Sequence, residues 1–268
     1  MTISSVQRPL AILANKRASS RRLLYEGSRL AVPDLFLVGY VALLPYQVEV
    51  ASDLRIALSD FCLILYLLFG ISGMRYVRKA WSLWHTGLVF LFTLGLFVAA
   101  DAEGHLTRYV VVNKSVGILV LLLTYAALTS FSTTWGRAER IMRVFVLSVA
   151  AQNVVMIGAI LVPKAYGLNT YWPSTSSPRL SGMLVDANAY GAMLVLALII
   201  HEATASGDAP LVKGWLRYLV SLTLGCGIVC TFSRSAWIGL TMAWLASLVL
   251  HRRFALRIVG GGLLVLLC

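Results

Sequence analysis

Charge is scarce in this sequence. Only 13% of its 268 residues are Asp, Glu, Lys or Arg, about half the share of a soluble domain. That shortage, beside a large apolar excess, excludes a water-soluble globule and a disordered chain. Cysteine is scarce too: Cys62, Cys226, Cys230 and Cys268 each lie inside an apolar run, which excludes a secreted disulfide scaffold. Cys226 and Cys230 stand one helical turn apart, but no His or further Cys is near to complete a tetrahedral site, so both read as buried structural thiols. A glycine-rich nucleotide loop, a His-Glu-x-x-His motif and an acidic metal-binding cluster are all missing. Without them, chemistry on ATP or a nucleotide sugar at the inner face has no foothold. The first 30 residues are polar and basic, and the apolar run after them lacks a small-residue cleavage site, which argues against a cleaved signal peptide.

What fills the chain is hydrophobic, 59% of residues. A bilayer core of about 30 Å needs about 20 helical residues. Apolar runs of that order predict an all-α polytopic transmembrane bundle with spans near 33–50, 57–73, 82–100, 109–131, 141–162, 187–204, 216–232 and 235–250. A ninth, at 257–268, is too short to cross and reads as truncated. The domain division that follows is a basic cytoplasmic tail, 1–32, and a transmembrane domain, 33–268, with an outer loop at 163–186. With the N-terminus inside, seventeen of the 23 Lys and Arg residues fall on inner segments. The other six, Arg55, Arg108, Lys114, Lys164, Arg179 and Arg234, fall outside or at outer span ends. Topology signalling and adhesion to anionic lipid explain the +12 charge without a nucleic-acid partner.

Two places could carry chemistry. The long outer loop is rich in Pro, Ser, Tyr and Trp and ends on Asp186 and Asn188, where span six begins. Either side chain can cap the exposed N–H groups of that helix, and capping alone would account for the pair. The second is Thr231-Phe-Ser233-Arg234-Ser235-Ala-Trp237, a connection so tight that Arg234 must lie at the outer membrane surface. Two readings stand. Arg234 snorkels and ends a hairpin, or it presents a guanidinium, flanked by Ser233 and Ser235, to a phosphate pair. Elsewhere, Gln152 and Asn153 read as interhelical hydrogen-bonding groups, Glu202 beside His201 as an interfacial pair, and His105 as a solvated loop residue.

These residues carry a resemblance. Arg179-Leu-Ser-Gly182-Met-Leu-Val-Asp186-Ala-Asn188-Ala-Tyr resembles the segment before a central span in the O-antigen ligase and polymerase superfamily, where an Arg and a Gly precede Asp-Pro-Asn. Thr231-Phe-Ser233-Arg234-Ser235-Ala-Trp237-Ile-Gly-Leu is similar to that family's Ser-Arg hairpin, and Ser59-Asp60 opens a leucine-rich second span as the family's does. The resemblance implies a metal-independent, multi-pass glycosyltransferase of the bacterial inner membrane, acting in cell-surface polysaccharide assembly as a ligase or exopolysaccharide polymerase. It would move a glycan from undecaprenyl pyrophosphate to a hydroxyl of lipid A core, a growing glycan or a protein, with no cofactor. By the same likeness Arg234 is the catalytic residue that binds the pyrophosphate, and Arg179, Asp186, Asn188, Ser233 and Ser235 bind substrate. The family's Asp-Pro-Asn is Asp-Ala-Asn here, which loses a helix-starting proline. Its later outer loop, with the acceptor-activating histidine, would fall beyond Cys268, so the chain is expected to be the donor-binding half and inactive alone. The competing class is a multispan transporter or flippase. Such proteins show internal repeats and midplane ionisable pairs, which this sequence lacks.

Overall fold

The computed structural model describes residues 31–46, 57–70, 87–95 apart from 88 and 92, 108–161 apart from 133, 179–205 apart from 185, and 210–250. Among these residues the fold is all-helical, with no strand. Seven helices have full bounds, in order α1 Val32–Leu43, α2 Leu58–Gly70, α3 Arg108–Phe131, α4 Trp135–Leu161, α5 Ala187–Ala205, α6 Trp215–Thr231 and α7 Arg234–Leu250; the described residues within 87–95 are helical as well. Two stretches are long and apolar enough to cross a membrane, Trp135–Ala159 within α4 and Ala187–Ala205. Residues 1–30 of the basic tail, the 257–268 run, His105 and the whole of 163–178 lie outside the described residues.

Both short N-terminal helices start by the same device. In α1 the carboxylate of Asp34 accepts the Ala31 N–H at 3.0 Å, and in α2 that of Asp60 accepts the Ala57 N–H at 3.0 Å. An acid in the third helical position that reaches back in this way satisfies one of the orphan amides of a helix start. Asp60, an anomaly for an apolar span, is thus a cap. Helix α1 stops at Leu43, short of the expected residue 50, and a turn follows with Tyr46 N–H donating to Leu43 O at 2.9 Å. Pro45 is the cause, because its ring drives the preceding residue out of helical geometry. Helix α4 errs the other way and begins at Trp135 instead of 141. Its first turns carry Arg137, Glu139, Arg140 and Arg143, and Arg143 bridges to Glu139 at 2.5 Å. A hydropathy reading sees only the apolar remainder.

The chain divides into two compact units, residues 1–37 with 61–138 and residues 38–60 with 139–268. In the first, Phe36 and Phe69 stack at 5.9 Å between ring centroids. Arg137 approaches Asp34 at 3.8 Å and lies 5.4 Å from the ring centroid of Phe131.

The second unit holds the candidate site. Its core joins Val146, Val149 and Met156 of α4 to Leu194 and Leu198 of α5 and Leu224 and Ile228 of α6. Helix α7 packs on α5 across Gly191, where an added Cβ would stand 2.8 Å from Ala236 Cβ. Polar side chains tie the helices from inside. Gln152 Nε2 donates to Pro45 O at 2.9 Å, Ser148 donates to Ala42 O, and Asn153 Nδ2 donates to Thr223 O at 2.6 Å. The fully buried Tyr190 donates its hydroxyl to Asn153 Oδ1 at 2.8 Å. Gln152 and Asn153 therefore do the interhelical work expected of them. Glu202 reaches beyond its neighbour His201. It accepts from Ser221 and faces Arg217 at 3.9 Å, while His201 is wholly buried and donates from Nε2 to Arg217 O at 3.0 Å. Adjacent helical residues point about 100° apart, so neighbours in sequence rarely meet. Large apolar side chains face outward instead, among them Leu196, Tyr218, Ile238 and Met242.

Candidate functional site

The site grows from the way α6 ends. A helix terminus leaves carbonyls without intrahelical partners, and here each finds one. Phe232 N–H donates to Val229 O at 3.1 Å and the Thr231 hydroxyl to Ile228 O at 2.7 Å. The remaining two are met from a distant segment: Leu180 N–H donates to Cys230 O at 3.0 Å and Arg179 Nε to Thr231 O at 3.0 Å. The strand-like stretch before α5 is thereby sewn to the end of α6.

Phe232 closes α6 in the left-handed conformation, φ 45° and ψ 33°, and its ring is 62% exposed. For a bulky residue that geometry costs about 1–2 kcal/mol, where glycine or asparagine would adopt it freely. The strain lets the chain reverse within two residues. Ser233 then caps α7, its Oγ accepting the Ala236 N–H at 3.2 Å, and Arg234 is the first helical residue.

The candidate residues meet around this turn. Asp186 caps α5, its carboxylate accepting the Asn188 N–H at 2.8 Å. Asn188, the other half of the supposed capping pair, does not cap. Its Oδ1 accepts from Arg179 Nη2 at 2.9 Å and from the Ser233 hydroxyl at 3.0 Å. Ser233 and Ser235 oxygens lie 2.9 Å apart. A hydroxyl has one hydrogen, and that of Ser233 is engaged by Asn188, so Ser235 must donate to Ser233. Arg179, Asp186, Asn188, Ser233 and Ser235 form one hydrogen-bonded chain running from the α5 cap to the α7 cap.

Arg234 stands apart from that chain. It is exposed, and among the described residues it makes no hydrogen bond or ion pair. Its guanidinium keeps five N–H donors and no acceptor, beside the positive end of α7. Such an arrangement suits an anion rich in oxygen acceptors. Among the described residues no group of three His, Cys, Asp or Glu side chains could hold a metal ion.

Four contributors escaped the sequence reading as site residues: Thr231, Phe232, Gly182 and Tyr190. Gly182, at φ +61°, lays its backbone against the Tyr190 ring, and Tyr190 follows Asp186 by one helical turn. The Arg179-to-Tyr190 segment held the signal for these two as a glycine preceding a helix start. Phe232 gave none, because its left-handed geometry is foreign to its residue type. Compared with known protein families, curated sequences and solved structures, the chain matches none of them.

Proposed function

We propose that the protein is a polytopic glycosyltransferase of the bacterial inner membrane, of the O-antigen ligase and polymerase type. In this reading the chain crosses the membrane eight times with its N-terminus inside, which puts the Arg234 turn on the outer face, where it binds the pyrophosphate of an undecaprenyl-linked glycan. The observation that carries this reading is an arginine with no partner among the described residues, at the tip of a turn whose own hydroxyls are internally engaged. An exposed guanidinium at a strained reversal is costly beside lipid unless an anion meets it. The membrane setting is supported by two helices of spanning length, by polar groups turned inward and by apolar side chains turned outward.

In the reaction the acceptor hydroxyl attacks the anomeric carbon and the bond from that carbon to the phosphate oxygen breaks. Undecaprenyl pyrophosphate leaves with the electron pair, and the hydroxyl proton passes to a general base on the acceptor side. Negative charge on the leaving phosphate grows as the bond breaks. A guanidinium fixed where that charge develops lowers the barrier without help from a metal ion. Arg234 is the catalytic residue in this scheme. Asp186, Asn188, Arg179, Ser233 and Ser235 shape the donor cavity.

The test is a donor-consumption assay in vesicles bearing the native protein, supplied with a fluorescent undecaprenyl-pyrophosphate glycan and an acceptor glycan. Transfer of the label, with release of undecaprenyl pyrophosphate and no effect of EDTA, is the expected result. Intact donor that only changes leaflet would identify a flippase and refute the enzyme.

A further inference from the structure

Arg179 is the second cation of the site, and by charge alone it is the obvious second phosphate ligand. Its hydrogen bonds argue otherwise. Nε is engaged by Thr231 O and Nη2 by Asn188 Oδ1. Arginine offers no acceptor, so the Asn188 atom that faces it must be the amide oxygen and not the nitrogen. The Ser233 hydroxyl donates to the same oxygen, which fills both its lone pairs. The remaining end of the side chain is Nδ2, with two hydrogens, on an exposed residue; Nδ2 has no hydrogen-bond partner among the described residues. Without Arg179 the amide could turn over. Ser233 would then turn its hydrogen to Ser235 and accept from Nδ2, and the amide oxygen would face outward, converting a donor surface into an acceptor surface that repels phosphate. The Asp186 carboxylate holds the Asn188 backbone and leaves this choice to Arg179.

Resting on the pyrophosphate reading above, we propose that Arg179 is a positioning residue that locks the Asn188 amide so that its Nδ2 hydrogens meet the donor's phosphate oxygens alongside Arg234. Arg179 sets the polarity of the surface and touches no substrate. Asn188→Asp keeps the acceptor used by Arg179 and Ser233, removes the two hydrogens and adds a negative charge, so Asn188→Ala is measured beside it as the uncharged variant and should also lose binding.

The experiment measures binding of undecaprenyl pyrophosphate to the purified protein in detergent, with undecaprenol as the phosphate-free control and thermal unfolding run on every variant. Asn188→Asp should bind the pyrophosphate at least about tenfold more weakly with an unchanged unfolding temperature. Arg179→Met should lose a similar factor, but less than about twofold when added to Asn188→Ala, because residues acting through one another are non-additive. Undecaprenol binding should not respond to either substitution. Wild-type affinity in Asn188→Asp, multiplying losses in the double variant, or equal losses with undecaprenol would each overturn the proposal. Arg234→Ala separates the two levels. If it binds as tightly as wild type, the pyrophosphate reading itself falls. If it binds weakly while Asn188→Asp does not, only the role given to Arg179 and Asn188 falls.

Discussion

Arg234→Lys is expected to abolish glycan transfer while the protein still inserts in the membrane at normal abundance. The substitution keeps the charge and a long stem, so topology and any snorkelling are preserved. It removes the planar fork that can grip two phosphate oxygens at once. Loss of one well-placed donor to a developing oxyanion costs about 100-fold or more in rate, and a single ammonium cannot restore the paired contact. No hydrogen bond or ion pair among the described residues depends on Arg234, so the fold has little reason to respond. The check is polysaccharide length and transferred label in cells carrying the variant, with membrane abundance measured in parallel. Normal-length product would defeat the catalytic assignment.

Gly182→Ala is the second large effect. Gly182 and Gly214 both have positive φ, +61° and +66°, and Gly214, at ψ −152°, sits in a region that only glycine adopts freely. An alanine at Gly214 would meet nothing within 4 Å, whereas at Gly182 its Cβ would stand 2.6 Å from the Tyr190 ring. That ring cannot swing aside, because Tyr190 is fully buried and its hydroxyl is held by Asn153. Gly214→Ala should therefore cost about 1–3 kcal/mol, from backbone geometry alone. Gly182→Ala should cost roughly 3 kcal/mol once the overpacking of a tight contact is added. The segment that must yield is the one carrying Arg179 and Leu180, so the ties to Thr231 and Cys230 are strained and transfer should fall with stability. Thermal unfolding of both variants in detergent is the check. A loss at Gly182 of no more than about 1 kcal/mol would show that the Gly182–Tyr190 contact is not tight in solution.

Much of the helical layout was legible because apolar length is a strong signal. The runs near 57–73, 109–131, 187–204, 216–232 and 235–250 correspond to α2, α3, α5, α6 and α7 within a few residues. Boundaries failed where a different force decides them. Pro45 ended α1 early through sterics, and the charged first turns of α4 were helical without being apolar. Five of the candidate residues, Arg179, Asp186, Asn188, Ser233 and Ser235, are neighbours in space although 53 residues lie between Arg179 and Ser233. Their division of labour was not legible. Asp186 caps and Asn188 bridges, a distinction that depends on which neighbour stands opposite each side chain in three dimensions. The reversal at Phe232 was hidden because nothing in a phenylalanine announces a left-handed turn. The partners of Glu202 were hidden because adjacency in sequence is a poor guide to contact on a helix.

The central claim is that the Arg234 turn faces the extracytoplasmic side and meets a lipid-linked diphosphate there. Phe232 is the natural reporter, adjacent to Arg234 and 62% exposed. In a background with the four native cysteines replaced, Phe232→Cys in intact cells should react with a membrane-impermeant maleimide. Added undecaprenyl pyrophosphate should protect it, and Arg234→Ala should remove that protection. Labelling that requires permeabilised cells, or protection that survives Arg234→Ala, would contradict the account.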